Sequence, residues 1–467
     1  MVKQITIFLL PFAFCVVLCA CKKDTFITSS NALVTTSVYK DTLKFDTVFT
    51  SVGSVTQSFK IFNNNNQKLL LSKVKLMGGI ASAFKINING DPSVEVDNIE
   101  IAANDSIYVF VTVNIDPNNA NTPFIESDSI LINYNGNSQY VQLQAYGQNA
   151  HFLTNKVISA DTTWTNDLPY VIQGSLVVNA ATTLTIQQGC RIYLHANAPF
   201  LVNGTLVVNG TKKDSVVFTG DRLDIGYKDL PASWPGIYFY NSSINNVLTF
   251  AIVKNANQGI EVDSLSTNAN PKLTVHQCII DNAFIYGIIC NNGSVAMDNS
   301  LISNCGSNIV INSGGTYNFT NCTVAAYSNS FVTHKTPVLQ VTNTDSTGAI
   351  TNDLSATFLN CIFWGDTGVP DEVVVNKQRS NPFDVQLSHC IYRVTDQLTN
   401  VDTVAIIESD PLFDNIDAIN NLYNFHTTNA AAPGIDKGST TIFHTDLDSL
   451  PRIFNGFTDI GCYEKQN

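Results

Sequence analysis

The sequence predicts an all-β chain: an N-terminal β-sandwich, then a right-handed, single-stranded parallel β-helix with a C-terminal cap. Three observations predict it. Segments built alike return along the middle of the chain, "LTFAIV", "VHQCII", "MDNSLI", "FTNCTV", "FLNCIF" and "LSHCIY", and self-similarity of this kind is the mark of stacked repeats. Upstream, short runs of alternating apolar residues lie between turn-rich stretches, as half-buried strands require. Only 13 % of the residues are charged and no long amphipathic helical pattern occurs, which argues against a helical domain.

The chain begins "MVKQITIFLLPFAFCVVLCACKKD". One positive charge at Lys3 precedes an apolar stretch from Ile5 to Leu18 and then small residues, the pattern of a secretory signal peptide; it is too short and wrongly flanked for a membrane span. Leu18-Cys19-Ala20-Cys21 resembles the lipobox of bacterial lipoproteins. That resemblance implies cleavage after residue 20 and acyl chains on Cys21, with each buried CH₂ worth about 0.8 kcal/mol of anchoring. The alternative is an ordinary cleaved signal with a stray cysteine. Residues 1–20 are thus expected to be the signal peptide and 21–30 a polar tether similar to those of Bacteroidetes lipoproteins, which implies an outer-membrane lipoprotein, periplasmic or surface-exposed. The net charge of −13 carries no basic stripe, so nucleic acid is not an expected partner. The acidity is dispersed and serves solubility; the chain is expected to act as a monomer, with the membrane as partner through its lipid.

Residues 31–150 carry the sandwich. In "SIYVFVTVNI" the alternation puts Ile107, Val109, Val111 and Val113 on one face, and "NNNNQ", "NGDP" and "NGNS" mark turns. Strands this short and frequent suggest an antiparallel sandwich. The stretch is similar to the immunoglobulin-like domains of bacterial surface proteins, which implies a spacer or adhesive module.

Residues 160–395 carry the solenoid. Aligned on one small residue, Ala251, Cys278, Ser300, Cys322, Cys361 and Cys390 follow each other in steps of 27, 22, 22, 39 and 29. A coil of 22 with inserted loops fits a right-handed parallel β-helix. Four residues after the small position comes Asn255, Asn282 or Asn304, expected to stack at a corner and satisfy polar groups where the ladder bends; ordinary turn propensity is the alternative. Together with "SWPGIYF", these pieces resemble the pectate-lyase-like β-helix superfamily. The terminal series "SDPLF", "APGIDKG", "PR" and "DIGCYE" is similar to the choice-of-anchor Q-like region of its Bacteroidetes lipoprotein members, with Ala432, Gly434 and Cys462 as small-for-small departures. Residues 396–467 are therefore expected to form the end of the β-helix and its cap. Asp410, Asp436, Asp459 and Glu464 would terminate stacking, with a Ca²⁺ role as the weaker alternative and no other metal or cofactor expected.

Eight cysteines remain beyond Cys21: 190, 278, 290, 305, 322, 361, 390 and 462. With no C-x₂-C pair, zinc has no support. Export permits disulfides, yet neighbours in one parallel column sit ~4.8 Å apart with parallel Cβ vectors, a poor match to disulfide torsion. Because the column also accepts Ala251 and Ser300, its rule is expected to be size, with cysteine as a small buried hydrophobe. A disulfide or a catalytic thiol stays open as the lesser reading.

The site is the least legible part. Lyases need a basic group beside a uronate, and hydrolases need paired carboxylates. The bases Lys254, Lys272, His276, His334, Lys335, Lys377, Arg379 and Arg393 share no column at the 22-residue step, and Asp281 and Asp298 fall at different phases. Lys335, Lys377 and Arg379 lie in loops expected to overhang one groove. Trp234, Tyr238 and Tyr240, with Tyr286, Tyr317 and Trp364, are candidates to stack on sugar rings. Asp-Ser/Thr pairs such as those at Asp105, Asp128, Asp161 and Asp345 resemble the O-glycosylation sequon of exported Bacteroidetes proteins, or serve as strand-start turns. Two functions follow as expectations: a non-catalytic cell-envelope protein that binds glycans, or a polysaccharide lyase or glycoside hydrolase acting on uronate-containing polymers. No catalytic residue is singled out.

Overall fold

The computed structural model describes residues 25–467 apart from Ser51, Ala120, Asn455 and Asn467. The expected signal peptide, Cys21 and the start of the tether lie outside the described residues. The chain divides into two compact units, Met1–Gln148 and Asn149–Asn467.

The first unit is two sheets around one core. Strands Val34–Thr36, Gln57–Asn63, Ser106–Val113 and Phe84–Ile88 form one sheet; Thr42–Phe49, Asn137–Gln148, Phe124–Tyr134, Leu69–Leu76 and Glu95–Ile101 form the other. Pairing is antiparallel except between Thr42–Phe49 and Asn137–Gln148, which run parallel. Ile107, Val109, Val111 and Val113 are buried against Leu71, Val74, Ile130 and Ile132 of the facing sheet, while Tyr108 and Phe110 between them point out and stack on each other. Asp105, Asp128, Asp161 and Asp345 each accept a backbone N–H within a turn or rung, so these side chains work as local caps.

The second unit is a parallel β-helix. Its 25-stranded sheet pairs each strand with one about three strands later, all in parallel, so successive coils stack in register on three faces. The first rung is His151–Ile158, pairing with Tyr170–Val178, earlier than the expected start at 160. Its polar "TNKV" is exposed because no coil precedes it. Parallel pairing likewise runs past 395, to Asp402–Val404 and a bridge between Ile391 and Ile407. One continuous apolar column fills the interior, including Ile192, Phe218, Val253, Ile280, Ile302, Val324 and Phe363.

The small-residue column stands rung upon rung. The pairs Ile252↔Ile279, Ile279↔Leu301, Leu301↔Thr323, Thr323↔Ile362 and Ile362↔Ile391 set Ala251, Cys278, Ser300, Cys322, Cys361 and Cys390 one above the next. The pairing Arg191↔Val217 adds Cys190 to it through Val216. All eight described cysteines are free and buried.

Size is only half of the rule. Cys278, Cys322, Cys361 and Cys390 each donate S–H to the carbonyl two residues back, at 3.2–3.4 Å. Ser300 does the same to Asp298 O at 2.7 Å. At these five positions the small side chain also hydrogen-bonds, an addition to the steric expectation, which Ala251 meets by size alone.

Two corner columns bend each coil. Asn255, Asn282 and Asn304 hold left-handed φ of 62°, 56° and 52°, a conformation asparagine tolerates better than other non-glycine residues. Asn282 Nδ2 donates to Asn255 Oδ1 at 2.9 Å, and Asn304 Oδ1 accepts from Tyr327 N at 3.1 Å. A second left-handed column comes just before the slot, at Gln277, Asn299, Asn321, Asn360 and His389.

At the end of the solenoid Leu398, Val401 and Ile406 pack against the apolar interior; beyond them the C-terminal segment returns along the solenoid's flank. Asn360 exchanges hydrogen bonds with Ser439 at 2.7 and 2.8 Å, Cys462 N donates to Thr323 Oγ1 at 3.0 Å, Gln277 Nε2 donates to Asp446 O at 2.5 Å, and Asp448 pairs with Lys212. The cause is apolar surface. The strands under the segment are apolar on both faces, and their outward Leu301, Ala325, Ile362, Trp364 and Ile391 are covered by Phe425, Leu447, Ile460 and Cys462. The acids expected to end the stack serve this strap internally. Asp459 accepts N–H from Asp436 and Lys465, and Glu464 accepts from Asp459 N and lies 3.8 Å from buried Arg452. Asp410 accepts the N–H of Leu412.

Candidate functional site

On the sheet face that includes strands Ile237–Phe239 and Gln258–Asp263, alternation turns Ile237, Phe239, Ile260 and Val262 inward. Their neighbours Tyr238, Glu261 and Asp263 must then face out. The register pairs Tyr238 with Glu261 and Phe239 with Val262, so Tyr240 comes beside Asp263; on the next coil Ile289 and Asn291 continue the two columns. The outer surface is therefore a tile of two tyrosines beside two carboxylates. The tyrosine rings are stacked, 6.4 Å apart with their planes nearly parallel at 18°.

Asn291 Nδ2 donates to Asp263 Oδ1 at 2.9 Å and reaches Glu261 Oε1 at 3.5 Å. The two oxygens are no farther apart than these bonds laid end to end. Gln258 Nε2 holds Glu261 Oε2 at 3.2 Å. Burial, and then the neighbouring Asp263 charge, push the Glu261 carboxyl above the usual carboxylate range. Burial and the Glu261 charge push the Tyr238 phenol up to about 12; Tyr240 is raised by burial and by both acids. Both phenols thus stay protonated donors at neutral pH.

Buried Lys272 fixes the far edge of the tile. Its Nζ donates to Tyr240 O at 3.1 Å, Asn241 O at 3.2 Å, Asp263 O at 2.5 Å and Ser264 Oγ at 2.8 Å. It ties the ends of two successive rungs together. Flat aromatic faces beside fixed oxygen acceptors suit a sugar, whose C–H faces pack on rings and whose hydroxyls donate to carboxylates.

The other sequence candidates are not brought together. Trp234 is fully buried, its Nε1 donating to Lys254 O at 2.9 Å, and Tyr317 and Trp364 are 2 % and 8 % exposed; these three are core, which corrects their place among the sugar platforms. Lys335 precedes strand Leu339–Thr342, whereas Lys377 and Arg379 follow strand Val373–Asn376. Since these strands pair in register, the three bases sit at opposite ends of the ladder. Arg379 is spent on Gly348 O and Ala349 O, and Lys377 lies over the Phe383 ring. His334 and Arg393 grip buried Glu372, at 3.1 and 2.8 Å, and so lock the loop before Leu339.

Glu261 and Asp263 do not stand at the phase of the small residue, so the repeat does not point to them. Their signal is "GIEVD", where acids alternate with Ile260 and Val262 one coil after "GIYFY".

Among solved structures, the chain is similar to a family 123 glycoside hydrolase from Clostridium perfringens, studied for glycolipid glycan hydrolysis, with 13 % identity, TM-score 0.18, and 25 % of this chain against 26 % of that one. It is likewise similar to the VesB protease of Vibrio cholerae, with 15 % identity, TM-score 0.18, and 24 % against 31 %. The chain thus spans under a third of either. No curated protein matches it. Residues 156–251 match the family model of the pectate-lyase like beta helix domain, in keeping with the parallel β-helix that begins at His151.

Proposed function

We propose that this chain is a lipid-anchored cell-envelope protein whose β-helix binds neutral glycans on the face of Tyr238 and Tyr240. The lipobox-like run ending at Cys21 supports the anchor, and the two-sheet unit of residues 31–150 serves as an immunoglobulin-like spacer. The carrying observation is the tile itself: two near-parallel phenol rings beside Glu261 and Asp263. Its acidity favours neutral sugars, because a uronate would bring a third carboxylate against two that already repel.

A panel of immobilised polysaccharides tests the binding. Neutral chains should retain the protein, and Tyr238→Ala with Tyr240→Ala should lose that retention; retention by polyuronates alone would overturn the proposal. Replacing Cys21 by Ala should abolish membrane partition.

A second reading is favoured by one observation, the closeness of Glu261 to Asp263 together with the raised Glu261. An acid of raised pKa close to a second acidic side chain is an arrangement that retaining glycoside hydrolases use. Release of reducing ends from a neutral polysaccharide, lost in Glu261→Gln, would establish it.

A further inference from the structure

A second polar recess lies on another face, where the Asn255–Asn282–Asn304 corner meets the returning strap. Its volume is about 320 Å³, and its walls come from four separate stretches: the loop at Asp229, the solenoid corner, the loop of Asn329 and Phe331, and the hairpin of strands Asn415–Asp417 and Leu422–Asn424 with Asn420 and Asn421 at its turn. Two features make it more than a gap. Lys254 Nζ takes no hydrogen bond and no close ion pair among the described residues, its charge acting on its register partner Asp281 from the same recess. Phe331 stands 40 % exposed at the recess.

The chemistry narrows the ligand. An ammonium donor, the side-chain amides of Asn304 and Asn421 and carboxyl groups sit within one small recess beside an aromatic ring. Hydroxyl groups both donate and accept, and the ring can cover a C–H face. Lys254 invites an anion, yet Asp229 and Asp281 line the same recess, so an uncharged ligand fits best. The volume is at the lower end for small-molecule sites, ~300–1,000 Å³, enough for one sugar ring and too little for a chain. We infer that this recess binds a single neutral hexose, free or as the terminal residue of a glycan, and that the bound sugar fastens the strap hairpin to the solenoid. The site is separate from the Tyr238–Tyr240 face and does not depend on it.

Hydrogen exchange of the full chain, with glucose, galactose, mannose and N-acetylglucosamine each at millimolar concentration, tests this. At least one hexose should slow exchange of the 415–424 amides several-fold. Lys254→Met and Asn421→Ala should each weaken that protection at least tenfold in apparent affinity, Lys254→Met at the wild-type unfolding midpoint and Asn421→Ala at a lowered one because residue 421 is left-handed. Tyr238→Ala should leave it intact, which separates this site from the one proposed above. Protection by an oligosaccharide ending in such a hexose, without protection by the free sugars, would assign the recess to chain ends. The inference fails if neither free hexoses nor oligosaccharides change hairpin exchange, or if the change survives both Lys254→Met and Asn421→Ala.

Discussion

The backbone N–H of Cys278 donates to the hydroxyl of Ser300, 2.9 Å away on the next coil. One coil earlier Ala251 N donates in the same way to Cys278 Sγ at 3.2 Å. Cys278 and Ser300 therefore each accept the corner N–H of the coil before and donate to the carbonyl two residues behind. The corner is where the sheet ladder leaves an N–H unpaired, and such groups are seldom left so in a protein interior.

Ser300→Ala should accordingly cost about 1–3 kcal/mol, the penalty of an unmade buried bond, although it removes one atom. Ser300→Cys restores the column's usual residue and should cost less than about 1 kcal/mol. Denaturant midpoints with unchanged slope decide this; equal losses for the two variants would show that the slot selects by volume alone.

The cysteines should be silent in the folded protein. Burial pushes the Cys278 thiol up to about 12 and Cys190 to about 11, and the thiolate is the reactive form. A thiol reagent at pH 8 should label none of the eight described cysteines until denaturant is added. Labelling of several within minutes under native conditions would contradict the stacked column.

The phase of the solenoid was legible because each coil repeats one physical problem: an inward apolar pair, a left-handed corner, a slot too small for a large side chain. "TNC" and "LNC" carried the corner as well as the slot, since Asn321 and Asn360 are left-handed for the same reason as Asn255. The strap was not legible. It follows no period, and its partners are fixed by outward residues such as Ile362 and Leu301, whose apolarity in sequence looks like that of any buried strand. Trp234 misled for the opposite reason: "SWPGIYF" gives an aromatic no sign of which way it points. The tile fell between these cases, because Glu261 and Asp263 keep strand alternation but belong to one coil only, so no repeat announces them.

Acid should loosen the strap through Asp448. Hydrogen bonding to His426 and Lys212, against burial, holds its carboxyl down at about 2. A carboxylate depressed on folding contributes stability that is complete above its unfolded pKa of about 3.8 and fades as pH falls through 2. Lys212 is 46 % exposed and solvent screens the pair, so the effect is local. Proteolytic cleavage within 408–467 by an acid protease should accelerate between pH 4 and pH 2. Asp448→Asn should already show faster cleavage at pH 4 and respond less to further acid; an unchanged profile would exclude this anchor.

Glu261 should titrate against stability in the other direction. Burial raises its pKa on folding, so the unfolded chain binds fewer protons than the folded one between about 4.5 and the raised value, and stability falls as pH rises across that window. Glu261→Gln removes the half-buried charge and keeps one acceptor, for Gln258 or Asn291, so its unfolding midpoint should exceed wild type at pH 7 and converge with it below pH 4.5. The same variant separates the two functions of the tile. A binding face keeps its ring platform in Glu261→Gln and loses at most one hydrogen bond, with a change in glycan affinity of about tenfold or less. A hydrolase loses its proton donor, and turnover should drop by at least about a hundredfold. Tyr240→Phe keeps the platform in either case and Tyr240→Ala removes half of it, so affinity that tracks ring area rather than the phenol oxygen assigns the tyrosines to stacking.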